Sequence, residues 1–297
     1  MAIVSFLSFG LMYLSPSDPV EMMLTSNGIS VSTEVLESTK EELGLNKPFF
    51  EQYIIWIGNM IKGDLGTSYS TKRSVIYELK EHMPYTAVLA FSSMILTLIV
   101  SIPLGIACAI KKNTFTDYVI RGCTFIGNSV PGFFAGLMML FIFALKLRIF
   151  PVLSQSGIKS IILPSITLSI SMSSRYIRQI RQVVIEELDK DYVRGAYSRG
   201  IPKWKIIYTH VFKNIMITVV TLTGLSLGSL LGGAAIIENI FVWPGLGSMA
   251  LNAIKLRDYP LVQGYVMLTT LIFIIINLIV DFLYGVLDPR TIKNRRK

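Results

Sequence analysis

Six apolar runs, separated by polar stretches, dominate the hydropathy pattern of the chain. The second, third and fifth runs carry no Lys, Arg, Asp or Glu in their central parts. A helix of about twenty apolar residues crosses a hydrocarbon core about 30 Å thick, so each run is a candidate membrane span. We therefore predict an all-α polytopic membrane protein with six transmembrane helices. The predicted spans are Ala2–Leu14, Thr86–Ile110, Val130–Leu145, Ile161–Ile180, Val211–Ile237 and Val262–Leu287.

The first run is shorter than the others. As a helix it would extend only about 20 Å, which is less than the thickness of the core. A cleaved signal peptide is the alternative interpretation, but the run has neither a basic leader nor a small-residue cleavage site. We expect about ten to fifteen further residues, with Lys or Arg among them, to precede Met1 in the full-length product.

The polar segments divide the chain into four parts. Residues 1–15 form the first, incomplete, transmembrane helix, and residues 16–85 form an extracytoplasmic helical segment. Residues 86–290 form the transmembrane core, which contains a polar cytoplasmic loop at 186–210. Residues 291–297 form a basic cytoplasmic tail.

Two helices are predicted within the segment 16–85. Ser32 can cap the first helix, Glu34 favours its first turn and Gly44 can end it. The second helix begins after Pro48 and ends at Gly63. Its apolar residues fall on one face, which we expect to pack against the spans rather than to bind a ligand. They are Phe49, Tyr53, Trp56, Ile57 and Met60.

The chain carries a net charge of +9, which in a soluble protein would suggest nucleic acid as a partner. In a membrane protein, however, Lys and Arg concentrate in the cytoplasmic loops. With both termini in the cytoplasm, the inner stretches 111–121, 175–213 and 290–297 hold more Lys and Arg than the outer stretches. We therefore predict cytoplasmic termini, contact with membrane lipid and no nucleic-acid partner.

One polar segment, DYVRGAYSRGIPKWKIIYTH at residues 191–210, separates two predicted spans. Its pattern predicts a helix, a break and a second helix. Gly200 follows Arg199 and suits the position after a helix end, where φ is positive. Pro202 falls where a new helix can start, since its missing N–H costs nothing there. Such a hairpin, joined to two spans, could act as a lever for a soluble motor; the alternative is a solvated loop without a partner.

Motifs of nucleotide hydrolysis, metal binding and nucleophilic catalysis are missing from the sequence, including G-x-x-x-x-G-K-[ST], H-E-x-x-H, C-x-x-C and G-x-S-x-G. Cys108, Cys123, His82 and His210 do not stand at metal-ligand spacing, and we expect structural roles and no disulfide. We predict no catalytic residue, metal or cofactor in this chain.

An ion-driven secondary transporter or channel is an alternative, but it should carry ionisable groups at mid-span, where only Asp281 is a clear candidate. A membrane-embedded enzyme should show a clustered polar site.

The fifth span contains glycines at every fourth position, Gly224, Gly228 and Gly232. This spacing places them on one smooth helical face that another backbone can approach closely. Ordinary helix packing and a translocation pathway at a subunit interface both fit this pattern.

Several short motifs, taken in their order and spacing, resemble the permease subunits of peptide/nickel-type ABC importers. The resemblance extends from about Pro16 to Arg290. Its pieces are LGLNKP (43–48), GDLGTSY (63–69), LPSITL (163–168), SRYIRQIR (174–181), ENIFVWPGLGSMAL (238–251), DYP (258–260) and DFLYGVLDPR (281–290).

The resemblance implies a type I ABC importer permease fold, in which a cytoplasmic EAA loop docks into a groove on the ATPase. Arg194-Gly195-Ala196 stand in the place of Glu-Ala-Ala, and Gly200 matches the glycine of that motif. The acidic first position and the downstream Ile-x-Leu-Pro are not kept. A bulky residue at Ala196 is accordingly expected to clash with the groove. The predicted coupling residues are Asp191, Tyr192, Arg194, Ala196, Gly200 and Pro202.

The resemblance also implies the partners and the location. They are a second homologous permease, two ATPase domains that bind ATP and magnesium, and an extracytoplasmic binding protein, all at a bacterial inner membrane. The substrate would be a peptide or a nickel or metal–chelator complex.

Overall fold

The computed structural model describes residues 1–14, 20, 32–42, 44–152 and 157–287, and it is helical throughout most of them, which confirms the predicted fold class. Within these ranges the β contact is a single bridge between Thr67 and Ser74. The predicted basic tail, 291–297, lies outside the described residues.

The helices are α1 (Ala2–Tyr13), α2 (Thr33–Glu42), α3 (Phe49–Ile61), α4 (Val75–Ile110), α5 (Phe115–Ser129), α6 (Gly132–Met139), α7 (Ile158–Leu188), α8 (Asp191–Ser198), α9 (Lys203–Ile206), α10 (Phe212–Gly233), α11 (Ala235–Ile240), α12 (Leu246–Lys255) and α13 (Tyr259–Leu287). Two π-helical stretches, Leu140–Lys146 and Ile207–Val211, extend α6 and join α9 to α10.

Among the described residues, three helices are long and apolar enough to cross a membrane, or four if a bent pair counts as one span. The three are Val75–Ile110, Lys203–Leu231 and Tyr259–Leu283. They coincide with the second, fifth and sixth predicted spans, although α4 begins at Val75 rather than at Thr86. The first predicted span is α1, which is too short to meet the same criterion.

The third predicted span is half of a bent pair. Helix α5 and the helix Gly132–Lys146 meet at an angle of 99°. Val130 and Pro131 between them are extended, because proline cannot continue the hydrogen bonding of a helix and disfavours helical geometry in the residue before it. Residues 111–121, predicted as an inner loop, therefore include the beginning of a helix that the hydropathy pattern did not reveal.

The fourth predicted span lies in α7, which is long but less apolar than the three candidate spans. Its serines and threonines, together with Arg175 and Arg178, lower its hydropathy. The middle of the helix is buried inside the chain, including the side chains of Ser165, Thr167 and Tyr176. A helix covered by other helices does not need an apolar surface toward lipid, and this accounts for its composition.

The helices divide into two compact units. The first comprises Met1–Thr86 and Pro244–Phe273, and the second comprises Ala87–Trp243 and Ile274–Lys297, of which 288–297 lie outside the described residues. Helices α4 and α13 each contribute to both units.

In the first unit, α1 and α3 are joined by an aromatic cluster. The Phe9 ring lies 5.5 Å from the rings of Phe49 and of Tyr53, measured between centroids, and 5.7 Å from the ring of Trp56. The Ser5 hydroxyl is 2.9 Å from the Tyr53 hydroxyl. The prediction that these three residues of α3 pack against a predicted span is confirmed.

The first unit also brings together two of the motifs on which the resemblance depends, residues 63–69 and 258–260. The fully buried carboxylate of Asp258 accepts hydrogen bonds from the Ser68 hydroxyl, from the Ser70 hydroxyl at 2.8 Å and from the Ser70 amide at 3.0 Å. Burial, followed by the charge of Asp258, raises the pKa of Tyr69 to about 12. The loop after α3 is thereby fixed to the start of α13.

In the second unit, a buried ion pair joins three elements. Arg181 on α7 donates through Nε and Nη2 to the two carboxylate oxygens of Asp117 on α5, at 2.9 and 2.8 Å. The Cys108 thiol at the end of α4 lies 2.7 Å from Asp117 Oδ1, and the Asn113 amide donates to Oδ2 at 3.0 Å. Asp117 is fully buried, so removal of either charge would leave the other without its partner.

Candidate functional site: a polar helical hairpin

The segment 191–210, called the hairpin below, has the predicted form of helix, break and helix. Helix α8 ends at Ser198, and Gly200 follows with a φ of +77°. The Gly200 amide donates to the Tyr197 carbonyl at 2.9 Å, and the Ile201 amide donates to the Ala196 carbonyl at 3.2 Å. These two bonds form a Schellman motif, which satisfies the carbonyls at the end of a helix. The positive φ predicted at Gly200 is confirmed.

Pro202 is the cap of the next helix rather than its first residue. Its carbonyl accepts hydrogen bonds from the amides of Lys205 and Ile206, at 3.0 and 3.2 Å. The helix then continues without a chain break from α9 through the π-helical stretch into α10. The second arm of the hairpin is therefore continuous with a candidate membrane span.

One side of the hairpin is apolar and belongs to the core of the second unit. It packs with residues of α7 and α10 in a single hydrophobic cluster. The buried members from the hairpin and its neighbours are Ile180, Val184, Val193, Ala196, Ile206, Val211 and Ile215. The hairpin is consequently part of the folded unit rather than a solvated loop.

Ala196 lies inside this cluster, with only 1% of its surface exposed. We expected a bulky residue here to clash with the groove of an ATPase, but this reason is wrong because the Ala196 side chain faces the chain's own core. A tryptophan at this position would first clash with the chain's own core. The small residue is required by packing between α8 and the helices behind it.

A buried carboxylate holds the hairpin to both of its flanking helices. Glu187, near the end of α7, is 7% exposed. It accepts hydrogen bonds from the Tyr192 hydroxyl on α8 at 2.7 Å, from Asn214 Nδ2 on α10 at 3.0 Å, and from the Lys190 ammonium. Asn214 Nδ2 also lies 3.3 Å from the Tyr192 hydroxyl oxygen. We refer to Glu187, Lys190, Tyr192 and Asn214 as the Glu187 cluster.

The charges of this cluster follow from its contacts. Burial alone would raise the pKa of Glu187, but the hydrogen bonds from Lys190, Tyr192 and Asn214 outweigh it, so that the pKa lies below its ordinary value. Burial and the hydrogen bond to this carboxylate raise the pKa of Tyr192 to about 12. At neutral pH, Glu187 is thus an anion and Tyr192 a neutral donor.

The opposite side of the hairpin is exposed, aromatic and basic. Trp204 and Tyr208, one helical turn apart, are 64% and 68% exposed, and Tyr197 on α8 is also exposed. Arg194, Arg199, Lys203 and Lys205 add four exposed cations. We refer to Trp204 and Tyr208 as the aromatic pair. Large exposed aromatic residues together with Arg are typical of surfaces that bind another protein.

The predicted coupling residues therefore lie on different sides of the hairpin. Asp191, Arg194 and Gly200 are exposed, whereas Ala196 is buried in the core. Tyr192 takes part in the Glu187 cluster. The side chains of Glu187 and Asn214 were not singled out from the sequence, because nothing in the run EELDKDY distinguishes one acidic residue from the next.

The glycine face of α10 is occupied in part by the chain itself. A Cβ atom on Gly224 would lie 1.9 Å from Cγ2 of Val280 on α13, so this glycine permits a close approach of two helices of the second unit. Gly228 is buried, and the surroundings of Gly232 lie outside the described residues. A role of these three glycines at a subunit interface stays a prediction.

A test of the hairpin geometry is the substitution Gly200→Val. A Cβ atom on Gly200 would meet no other atom within 4 Å, so the cost comes from the backbone alone. A β-branched residue at a φ of +77° is expected to destabilise the turn by about 1–2 kcal/mol. Hydrogen exchange of the amides of residues 191–206 should become about five- to thirtyfold faster.

Gly195→Ala is the matched control, because Gly195 lies in the middle of α8 and its Cβ would likewise meet nothing within 4 Å. It should slow exchange, since alanine favours a helix over glycine by about 0.5–1 kcal/mol. Equal exchange in both variants would show that the turn does not depend on the positive φ.

Two family models match the chain. "Binding-protein-dependent transport system inner membrane component" matches residues 101–293, and the corresponding N-terminal membrane-component model matches residues 1–90. The hairpin and the whole of α10 lie within the first match.

Curated relatives match along almost the whole chain. A probable D,D-dipeptide transport system permease protein, DdpB, of Escherichia coli K12 is 33% identical, over 97% of this chain and 92% of the relative. A nickel import system permease protein, NikB, of Staphylococcus aureus USA300 is 37% identical, over 97% of this chain and 87% of the relative.

Among solved structures, the inward-facing methionine ABC transporter MetNI matches with a TM-score of 0.59. The match covers 72% of this chain and 97% of that one at 13% sequence identity, and it therefore bears on the fold alone.

Proposed function

Because the chain belongs to the family of binding-protein-dependent transport system inner membrane components, it is a multi-pass membrane permease subunit of an ABC importer, and we propose that its hairpin is the contact through which ATPase subunits drive transport. The proposal assigns no catalytic role to the chain. ATP and magnesium would be bound and hydrolysed by the partner.

The observation that carries this proposal is the two-sided construction of the hairpin. A lever must be held firmly by the helices that it moves, and it must offer a surface to the motor. The Glu187 cluster joins α7, α8 and α10 through hydrogen bonds of 2.7–3.0 Å to one buried carboxylate. The aromatic pair and the surrounding cations lie on the exposed side.

Coupling then requires contacts that differ between two states of the transporter. Closure of two ATPase domains around ATP would move their docked hairpins together, and hydrolysis would release them. Because α9 continues into α10, displacement of the hairpin tilts or shifts that span. Two hairpins are needed for two ATPase domains, so we propose a pair of permeases, this chain and a second homologous one.

The orientation follows from the same assignment. A hairpin that meets a soluble ATPase must be cytoplasmic, and this places both termini of the chain in the cytoplasm, in agreement with the distribution of Lys and Arg. The segment between α1 and α4 then faces the extracytoplasmic side, from which a binding protein would deliver the substrate.

The substrate class we propose is a peptide, with a nickel or metal–chelator complex as the second candidate. The relatives named for D,D-dipeptide and for nickel transport support these two classes. Among the described residues, no group of three or more His, Cys, Asp or Glu side chains could hold a metal ion.

The assembly can be tested by reconstituting the chain in vesicles with a candidate second permease, ATPase subunits and a binding protein from the same organism. Uptake of a labelled dipeptide and of a labelled nickel chelate should be compared, each with and without ATP. ATP-dependent uptake of either class supports the proposal. Uptake by this chain alone, driven by an ion gradient, would contradict it and favour a secondary transporter.

A further inference from the structure

Helix α3 exposes a narrow apolar stripe. Phe50, Ile54 and Ile61 are 67%, 66% and 78% exposed. Residues spaced by three, four or seven positions lie on one helical face, so these three side chains form a continuous line along the helix, with Ile57 between them. We refer to Phe50, Ile54 and Ile61 as the α3 stripe.

The other faces of α3 have different surroundings. One face carries the rings that pack against α1, and a further face carries Glu51, Gln52 and Asn59. Glu51 is paired with Lys47 at 2.9 Å, just before the helix begins, and Lys62 caps its end. Basic residues therefore lie at both ends of the stripe, and their long side chains could reach lipid headgroups.

Helix α1 provides the reason to assign lipid to this stripe. It carries no charged residue, and Ile3, Leu7 and Leu11 are exposed on its surface. The contacts between the two helices involve the first two turns of α3: the rings of Tyr13 and Phe49 lie 5.2 Å apart between centroids, and the Ser5 hydroxyl lies 2.9 Å from the Tyr53 hydroxyl. The first two turns of α3 therefore lie directly against α1, which is the first predicted span.

We propose that α3 is embedded beside α1 in the membrane, with the α3 stripe in contact with the acyl chains of the lipid. Helix α3 carries the α3 stripe on one face, whereas Glu51 and Asn59 lie on another face, together with Ile55. A strongly amphipathic helix of this kind is typical of segments at the membrane boundary.

The assignment is independent of the role proposed for the hairpin, and it changes the prediction for the segment 16–85. That segment would contain a membrane-associated helix rather than being wholly extracytoplasmic.

The test uses a fluorophore sensitive to its environment, attached to a single cysteine in the complete transporter in phosphatidylethanolamine/phosphatidylglycerol vesicles. Ile54→Cys reports the stripe, and Asn59→Cys on the polar face is the matched control. Exposed Cys123 is replaced by serine, and buried Cys108 is checked to remain unlabelled. Quenching by nitroxide-labelled lipid and by aqueous iodide is measured for each position.

At position 54 we expect quenching by the nitroxide lipid to exceed that at position 59 by at least about twofold, with the reverse order for iodide. Iodide quenching at both positions would show that the stripe faces water and would overturn the proposal. Protection of position 54 from both quenchers would show that another protein covers the stripe, and it would overturn the proposal equally.

Discussion

Replacement of Glu187 by alanine is expected to lower ATP-driven uptake about tenfold or more, while the permease remains in the membrane. The substitution removes the acceptor of three hydrogen bonds that join α7, α8 and α10. Hydrogen bonds to a charged group contribute about 1.5–3 kcal/mol each, and about 1.4 kcal/mol corresponds to a tenfold change in an equilibrium. The first arm of the hairpin would then be held to α7 and α10 by the hydrophobic cluster without these hydrogen bonds, and its movement would be passed on less fully.

The informative measurement is the number of ATP molecules hydrolysed for each substrate imported. Loss of coupling raises this ratio, whereas simple loss of folded permease lowers uptake and hydrolysis together. Glu187→Gln keeps an oxygen acceptor and should retain more uptake than the alanine variant. Glu186→Ala is the control, since the neighbouring Glu186 is exposed and accepts a hydrogen bond from Gln182 Nε2 at 2.7 Å, outside the Glu187 cluster. An unchanged ratio in Glu187→Ala would refute the role of the Glu187 cluster.

The stabilisation of the hairpin by Glu187 also depends on pH. Its pKa is lower in the folded hairpin than in the unfolded chain, where a glutamate has a pKa of about 4.3. The stabilisation is therefore fully present above that value and is lost as the pH falls through the lower folded-state pKa. Hydrogen exchange at the hairpin should show this acid sensitivity in the wild type, and the Glu187→Gln variant should lack it.

Joint replacement of Trp204 and Tyr208 by alanine should abolish uptake and detach the ATPase, with little effect on the fold of the hairpin. Both side chains are mainly exposed in this chain, so their removal leaves the hydrophobic cluster behind the hairpin intact. Truncation of a central aromatic residue of an interface costs about 2 kcal/mol or more in binding, and two such losses would reduce affinity by a factor of about a thousand. The measurement is co-purification of the ATPase, together with uptake, normalised to permease abundance.

Trp204→Phe with Tyr208→Phe is the matched control, because it keeps two aromatic rings at the same positions. It should retain most of the association. Normal association and uptake in the double alanine variant would place the ATPase contact elsewhere on the chain.

The parts of the fold that could be predicted from the sequence depend on local composition. Long, predominantly apolar runs predicted α4, α10 and α13, because a helix exposed to the hydrocarbon core must have an apolar surface. The turn at Gly200 was also predictable, since a positive φ has a strong residue preference.

The parts that could not be predicted depend on contacts between distant segments. Helix α5 is amphipathic and ends just before Pro131, so the hydropathy pattern contained no uniform apolar run that would have predicted it. The burial of Ala196 depends on residues of α7 and α10 that lie close only in the folded chain. The Glu187 cluster depends on a carboxylate and an amide separated by 27 positions in the sequence, whose types are common on any polar surface.

Photo-cross-linking from position 204 tests the central claim, that the hairpin is the contact with the ATPase, most directly. A photoreactive phenylalanine derivative is placed at Trp204 in the complete transporter in its native membrane, and at the exposed Glu37 of α2 as a control on the side predicted to be extracytoplasmic. We expect position 204 to cross-link to the ATPase subunit, more strongly with ATP trapped than without, and position 37 to give no such product. A transporter that imports substrate normally but yields no cross-link between position 204 and the ATPase would contradict the account.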